Sequence, residues 1–170
     1  SPVDKMLLRT MLENLAHPYG LIIIDTPARE LTIRRMVLTA AGFVIAPSLA
    51  DRASHQGLAD LATTITEVRA GSNPRLDVLA VTAGAIPVGS TSVRARALNA
   101  PANYIGDPEL VSQHTIRQSS NASQQCRSRG QLSHEYANDY PSPSSLGLAN
   151  DWKTLTNDLL DRYQHEIALT

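Results

Sequence analysis

Short apolar runs alternate along this chain with segments of helical periodicity. The first such run is Leu21–Ile24, which is followed by Asp25, Thr26 and Pro27. Four consecutive large apolar residues predict a strand buried on both faces, as in the centre of a parallel sheet. Asp25 would then lie at the carboxyl end of that strand, where open α/β sheets bind their ligands. A carboxylate there can hold a metal-bound water, but an Asp in this position can also cap the following turn.

Three later runs predict further strands, at Phe43–Pro47, Leu76–Val81 and, nearer an edge, Leu110–Ile116. Between and around them, the spacing of apolar residues and the stop signals predict helices at Asp4–Ala16, Leu31–Ala41, Ser54–Arg69, Ser92–Asn99, Asn121–Arg129 and Leu146–Ile167. Strands and helices in this alternation predict a right-handed, mostly parallel α/β sheet. No internal repeat is present, so residues 1–170 are expected to form a single domain.

Two of these helices have apolar faces that we expect to be buried. The first helix is predicted to pack on the sheet through Met6, Leu7, Met11, Leu12 and Leu15. The last helix is predicted to bury one face, which includes Trp152. The residues of this face are Leu148, Trp152, Leu155, Leu159 and Tyr163. The segment Asn138–Ser145, rich in Pro and Ser, is predicted to be a surface loop.

The composition is that of a soluble globular protein, with 42% apolar and 18% charged residues. A net charge of -1 gives no overall attraction to nucleic acid or membrane. All 15 basic residues except Lys5 and Lys153 are arginines, however, so local phosphate-binding sites are possible. The single cysteine, Cys126, excludes an internal disulfide and is typical of a cytoplasmic protein. Since no apolar run is long enough to span a membrane, we expect a soluble, unsecreted protein.

Several catalytic and cofactor-binding motifs do not occur in the sequence. It contains no G-x-x-x-x-G-K-[ST] or G-x-G-x-x-G loop and no C-x-x-C, H-E-x-x-H or G-x-S-x-G motif. The five histidines lack the spacing of metal ligands. Metalloprotease and serine hydrolase functions therefore have no support from motifs.

The segment Tyr19–Pro27 resembles the Y-D-x-I-I-I-D-x-P-P segment of the ParA-type partition ATPases, which carries their Walker B strand. This family belongs to the deviant-Walker-A group of P-loop NTPases, together with the MinD proteins. Other segments resemble later family motifs in the same order, namely Val44–Ser48, Gly57–Leu58, Glu67–Arg69, Ile116–Arg117, Arg127–Gly130 and Glu135–Tyr136. The resemblance runs from about Leu8 to the last helix and corresponds to roughly the C-terminal two thirds of the family.

The sequence departs from the family pattern at identifiable positions. Ala28 stands where the family prefers a second proline, and Thr82–Ala85 ends in alanine where the family has T-x-x-D. The glycine-rich phosphate loop, its lysine and the switch I aspartate have no counterpart among these residues. We therefore expect the N-terminal P-loop unit to be missing and the isolated chain to be incapable of binding ATP.

The resemblance implies a three-layer α/β sandwich of the P-loop NTPase type with a mostly parallel sheet. It implies binding of ATP and Mg²⁺, ATP-dependent homodimerisation, non-specific DNA binding, and hydrolysis stimulated by a ParB-type partner. These activities would serve plasmid or chromosome partitioning in the bacterial cytoplasm, on the nucleoid and away from membranes.

The resemblance also implies roles for individual residues. Asp25 would act as the catalytic Walker B residue that holds a magnesium-bound water, and Thr26 and Pro27 would shape the adjoining switch. The residues expected to border the nucleotide base are Thr82, Ile116, Arg117 and Gln118. The candidates for DNA phosphate contacts are Arg94, Arg96, Arg117, Arg127 and Arg129, with a solvated arginine face as the alternative.

Two other functions remain open at this point. One is a degenerate, non-catalytic module that binds DNA or a partner protein. The other is a MinD-like membrane-cycling ATPase, which the acidic terminus Asp158–Glu166 disfavours because anionic lipid would repel it. If neighbouring strands are missing, exposed sheet edges and apolar faces predict marginal stability or aggregation.

Overall fold

The computed structural model describes residues 2–15, 19–27 and 30–168. Its helices are α1 (Pro2–Leu15), α2 (Leu31–Ala40), α3 (Arg52–Ala70), α4 (Thr91–Asn99), α5 (Ala102–Ile105), α6 (Ser120–Arg129), α7 (Ser133–Asp139) and α8 (Pro143–Ala168). Its strands are β1 (Phe43–Leu49), β2 (Asp77–Ile86) and β3 (Val111–Arg117), and a 3-10 turn at Pro108–Leu110 leads into β3. Among the described residues, no helix combines the length and hydrophobicity needed to cross a membrane.

The three described strands form an open sheet in the order β1-β2-β3. The central strand, β2, is buried almost continuously from Val78 to Ala83, as expected for a strand with a neighbour on each side. It runs parallel to β3, with Ile86 opposite Arg117 at the carboxyl end. β3 has a neighbour on one side only, so the predicted edge position of the run Leu110–Ile116 is confirmed within this sheet. Pro47 is tolerated inside β1 because this strand also lies at an edge.

The segment Leu21–Pro27 is not a strand. It has no regular secondary structure, and Leu21, Ile22 and Ile23 are all exposed, Ile23 to 85%. The prediction of a buried central strand here is therefore wrong for the described residues. A strand is stabilised by hydrogen bonds to a neighbouring strand, and none of the three described strands pairs with this segment.

Other differences from the expected elements lie between β3 and α8. The predicted loop Asn138–Ser145 is reduced to Tyr140–Ser142, because α7 precedes it and α8 begins at Pro143. Proline is compatible with the first helical turn, where its missing N–H would have no intrahelical acceptor. The start of α7 is stabilised by Glu135, whose carboxylate accepts a hydrogen bond of 2.7 Å from the backbone N–H of Leu132. β2 also continues to Ile86, five positions beyond its expected end at Val81.

The chain divides into two compact units, the first formed by the described residues of Ser1–Val44 with Ala59–Val78. In this unit α1 packs principally against α2, and Met6, Leu7, Met11 and Leu15 are exposed, so the predicted burial of this face against the sheet is wrong. The end of α2 is held by buried Asn73. Its side-chain amide donates hydrogen bonds of 2.9 Å to the carbonyl oxygen of Leu38 and 2.7 Å to that of Ala41.

The second unit consists of Ile45–Leu58 and Leu79–Thr170. Its core joins β3, α6 and α8 through the buried side chains of Ile116, Ala122, Leu148 and Leu155. Trp152 lies outside this core and is 47% exposed, so its predicted burial is wrong. Trp152 lies only about 40° from Leu148 around the helix, but the core that covers Leu148 and Leu155 does not extend to it.

Candidate functional site

Asp25 lies in the first unit, directly after the exposed apolar run Leu21–Ile24. Its carboxylate is exposed, and no group among the described residues donates a hydrogen bond to it. Thr26 beside it is half-buried, and the carbonyl of Pro27 accepts a hydrogen bond of 3.4 Å from the N–H of Glu30, just before α2. The Asp25 carboxylate is thus accessible to a ligand from solvent.

The described surroundings of Asp25 offer one exposed carboxylate, with Thr26 as the neighbouring polar residue. Within the described ranges, no group of three or more His, Cys, Asp or Glu side chains is placed to hold a metal ion. Mg²⁺ is commonly bound through one or two carboxylates together with waters and substrate phosphates. Asp25 would supply one such carboxylate, and the hydroxyl of Thr26 a neighbouring polar group.

A cleft of about 340 Å³ lies in the second unit, beside the carboxyl end of β2 and along β3. It is lined by the loop at Pro87–Gly89 together with side chains from α4, β3 and α8, including Arg94, His114, Arg117 and Asp151. Its volume is within the range of small-molecule sites. Of its arginine and carboxylate side chains, Arg117 is paired with Asp151, so Arg94 provides the excess positive charge. The cleft therefore suits a ligand with an anionic group.

Arg117 is held firmly in this cleft by Asp151. Its Nε donates a hydrogen bond of 2.7 Å to Oδ2 and its Nη2 one of 3.0 Å to Oδ1 of Asp151, and its backbone N–H donates a third, of 2.9 Å, to Oδ2. The side-chain hydrogen bonds that Asp151 accepts raise the pKa of the Arg117 guanidinium, which is charged throughout the physiological range. The guanidinium also lies against Gly147, the only residue type without a Cβ to obstruct it. Arg117 thus ties the end of β3 to α8.

The other residues expected at the nucleotide base have different surroundings. Thr82 is buried in β2, and Ile116 belongs to the core beneath α8. Gln118 is exposed, and its backbone N–H donates a hydrogen bond of 2.7 Å to the carbonyl of Ile86. Of the four residues, Arg117 alone lines the cleft, and all four belong to the second unit whereas Asp25 belongs to the first. Their roles toward a nucleotide stay predictions.

The arginines expected to contact DNA fall into two groups. In the first group the guanidinium has a partner within the chain. Arg117 is paired with Asp151, and Arg94 donates a hydrogen bond of 3.0 Å to the Gln113 carbonyl. Arg129 donates a hydrogen bond of 2.9 Å to the hydroxyl of Tyr140 and also lies over the ring of that tyrosine. Arg96 and Arg127 are exposed, and no hydrogen bond joins their guanidinium groups to other described residues. These two are the more available for an external phosphate.

Two features of the cleft region were not expected from the sequence. Asp151 had no local signal, because its partner Arg117 lies 34 positions earlier in the chain. Ala85, next to the cleft, has a left-handed backbone with a φ of 53°, and the pairing of β2 with β3 is irregular between Ala83 and Ile86. The one sequence signal near this irregularity was Ala85 itself, which stands where the family pattern T-x-x-D has aspartate.

Comparison with known proteins bears on the first part of the chain. A family model described as "AAA domain" matches residues 2–78. The chromosome-partitioning ATPase Soj of Thermus thermophilus is 38% identical over 63 residues, which are 37% of this chain and 25% of that protein. The resemblance to the ParA-type partition ATPases is confirmed in part of the chain, and the motifs expected after residue 78 stay predictions.

The chain also matches a solved structure in fold. This is the crystal structure of cobyrinic acid a,c-diamide synthase from Mycobacterium smegmatis with bound ADP and magnesium. The match has a TM-score of 0.58 and 24% sequence identity, and it covers 75% of this chain and 55% of the synthase. The predicted three-layer α/β fold with a parallel open sheet, of the P-loop NTPase type, is thereby confirmed.

The chain corresponds to only part of these proteins, since its match spans about a quarter of Soj and about half of the synthase. The chromosome-partitioning ATPase activity belongs to Soj, and the ADP and magnesium belong to the synthase structure. For the present chain the comparisons establish the resemblance and the fold.

Proposed function

We propose that this chain is part of a ParA-type partition ATPase, in which it supplies the Walker B aspartate, and that it binds Mg-ATP once joined to a P-loop segment. The observation that carries the proposal is the exposed run Leu21–Ile24 ending in Asp25, within the residues that the family model matches. An apolar run of this kind is suited to a strand with neighbours on both sides. A P-loop strand beside it would bury the run and hold Asp25 at the edge that receives the nucleotide.

The energetic reason for this assembly is the exposed apolar surface. Leu21, Ile22 and Ile23 are all exposed. Burying a side chain of this size contributes roughly 1.5–3 kcal/mol, although part of that gain offsets the entropy lost on ordering the segment. An added strand would also satisfy backbone N–H and C=O groups of this segment. Docking of a P-loop segment is therefore expected to stabilise the chain as well as complete the site.

In the assembled site, the residues of this chain would orient rather than transform the nucleotide. Bound magnesium supplies charge neutralisation at the phosphates. The Asp25 carboxylate would accept a hydrogen bond from a water on that ion, and Thr26 and Pro27 would set the path of the following switch toward α2. A role of Thr82 and the segment Ile116–Gln118, which belong to the second unit, toward the nucleotide base is a separate part of the proposal. ATP-dependent homodimerisation and stimulation by a ParB-type partner in the cytoplasm are parts of the same proposal.

The test is a fusion of this chain to a segment that carries a G-x-x-x-x-G-K-[ST] loop. We expect the fusion to bind a fluorescent ATP analogue with Mg²⁺ and to hydrolyse ATP, and the chain alone to do neither. Asp25→Asn in the fusion should reduce hydrolysis by about 10–100-fold, as is typical when a group that orients metal-bound ligands is changed. Asp161→Asn, at an exposed carboxylate on α8, is the matched control and should have no effect. Unchanged hydrolysis in the Asp25 variant would refute the assignment.

A non-catalytic DNA-binding module is the second candidate, and the exposed guanidinium groups of Arg96 and Arg127 support it. Each arginine on a phosphate adds about 0.9 to the slope of log affinity against log salt. Replacing both by alanine should lower that slope by about 2. Arg75→Ala, at an exposed arginine in the other unit, is the control. DNA binding that shows this change and is insensitive to ATP in the P-loop fusion would favour the module over the ATPase.

A further inference from the structure

The cleft beside β3 lies where helices on both sides of this strand hydrogen-bond its backbone. Arg94 of α4 donates a hydrogen bond of 3.0 Å to the carbonyl of Gln113, and Asp151 of α8 accepts one of 2.9 Å from the backbone N–H of Arg117. An extended peptide adds to a sheet edge through main-chain hydrogen bonds, and here it would have to displace these two contacts. The cleft is therefore suited to a small ligand rather than to an added strand.

The charge of the cleft matches a ligand with one negative charge. Arg117 and Asp151 form an ion pair, so among the arginine and carboxylate side chains that line the cleft the charge of Arg94 remains. A guanidinium has several N–H donors, and the hydrogen bond from Arg94 to the Gln113 carbonyl uses one of them. The others can bind both oxygens of a carboxylate. A ligand with several negative charges, such as a triphosphate, is a poorer match because the Asp151 carboxylate opposes it.

The end of β2 and the loop after it add an apolar wall, formed by Ile86–Val88. The backbone just before this wall is strained, since Ala85 has a left-handed φ of 53° and the pairing of β2 with β3 is irregular between Ala83 and Ile86. Costly backbone conformations of this kind cluster at ligand sites, where the surrounding structure holds them. A ligand of this cleft would place an apolar body against the wall and its anionic group at Arg94.

We propose that this cleft binds a small organic acid with one carboxylate on a compact apolar body. The volume of about 340 Å³ is at the lower end of the range for small-molecule sites, so the body is limited to about the size of a single ring. The proposal goes beyond the function proposed above and requires neither ATP nor a P-loop segment. Arg117 is the one lining residue that was also expected at a nucleotide base, and its Nε and Nη2 are engaged by Asp151.

The experiment is a titration of the full chain with benzoate, without nucleotide, followed by the NMR shifts of the backbone amides. We expect saturable binding with a Kd on the order of 1 mM, as is reasonable for so small a ligand, and shifts grouped around Val88, Arg94 and Thr115. Benzamide has the same shape without the charge and should bind at least about 10-fold more weakly. Acetate keeps the charge but lacks the ring, so it should also bind more weakly than benzoate.

Variants of the lining residues test the two halves of the cleft separately. Arg94→Gln should weaken benzoate binding by at least about 10-fold, and Arg94→Lys, which keeps the charge but loses the planar fork, should weaken it less. Val88→Asp, in the exposed loop, should also weaken binding because it places a like charge at the apolar wall. Arg52→Gln, at an exposed arginine of the same unit outside the cleft, is the matched control and should leave the affinity unchanged. All three positions are exposed, and circular dichroism confirms that each variant is folded.

Three results would overturn the proposal: shifts that do not saturate with benzoate, equal binding of benzamide, or an affinity that Arg94→Gln leaves unchanged. Displacement of benzoate by an equal concentration of inorganic phosphate would identify a general anion site and would equally refute it. In the P-loop fusion, benzoate should bind with the same affinity whether or not Mg-ATP is present, and its displacement by Mg-ATP would assign the cleft to the nucleotide instead. Failure of the fusion to bind ATP would count against the proposed function only, because benzoate binding is measured on the chain alone.

Discussion

Gly147→Ala on α8 tests how Arg117 is held. Glycine inside a helix is normally unfavourable, and replacing it by alanine at an exposed position stabilises a helix by about 1 kcal/mol. At Gly147 the added Cβ would overlap Nη1 of Arg117 and lie 2.5 Å from its Cζ. The guanidinium would have to move, and it cannot move far without leaving the two oxygens of Asp151.

The expected loss follows from the two charge-assisted hydrogen bonds between these side chains. Hydrogen bonds to charged groups contribute roughly 1.5–3 kcal/mol each. The Arg117 and Asp151 side chains retain 31% and 14% of their exposure, so screening by solvent reduces the pair to about 1–2 kcal/mol in total. Set against the gain of about 1 kcal/mol in helix propensity, Gly147→Ala should be neutral or destabilising by about 1 kcal/mol.

The assay is urea denaturation of four proteins: the parent chain, Gly147→Ala, Arg117→Ala and the double variant. In the absence of the Arg117 side chain, Gly147→Ala should stabilise by about 1 kcal/mol, which gives a coupling of about 1–2 kcal/mol between the two positions. Gly57→Ala is the matched control, because Gly57 is also helical and nothing lies within 4 Å of its added Cβ. Equal stabilisation by Gly147→Ala and Gly57→Ala in the parent would refute the reasoning.

Three further predictions concern single residues. Ala85→Gly should raise the thermal midpoint by relieving the left-handed φ of 53°, worth about 1 kcal/mol, whereas Ala83→Gly in regular strand should lower it. Asn73→Ala should lower the free energy of unfolding by about 2–3 kcal/mol, because two carbonyl groups at the end of α2 lose their hydrogen-bond donor. Urea denaturation measures this loss, and a value below about 0.5 kcal/mol would contradict the prediction. Asp51, just before α3, accepts a hydrogen bond of 2.7 Å from the backbone N–H of Ser54, which lowers the pKa of the Asp51 carboxyl below its ordinary value of 3.8. The stabilisation from this hydrogen bond is therefore present above pH 3.8 and is lost as the pH falls through the folded-state pKa. Asp51→Asn should reduce the loss of stability measured by urea denaturation at acidic pH, and an unchanged pH dependence would contradict this role of Asp51.

Much of the local structure follows from the sequence because its causes are local. Gly130 ends α6 in the left-handed conformation, with a φ of 64°, as glycine after a helix commonly does. The strands beginning at Phe43, Asp77 and Val111 follow from short apolar runs between stop signals, and their order along the chain predicts the parallel sheet. Each of these signals lies within a few residues of the structure it determines.

The tertiary structure decided the features whose partners are remote in sequence. Leu21–Ile24 has the composition of a buried strand but lies exposed, because strand formation depends on a neighbour that no described residue provides. Arg117 depends on a remote partner in the same way: it links β3 to α8 only through Asp151, which lies 34 positions later in the chain. The exposure of Trp152 likewise depends on which face of α8 meets β3. The pattern of apolar and charged residues indicates which side chains a segment can bury and which charges it can pair. The packing of distant segments then determines which of these contacts form.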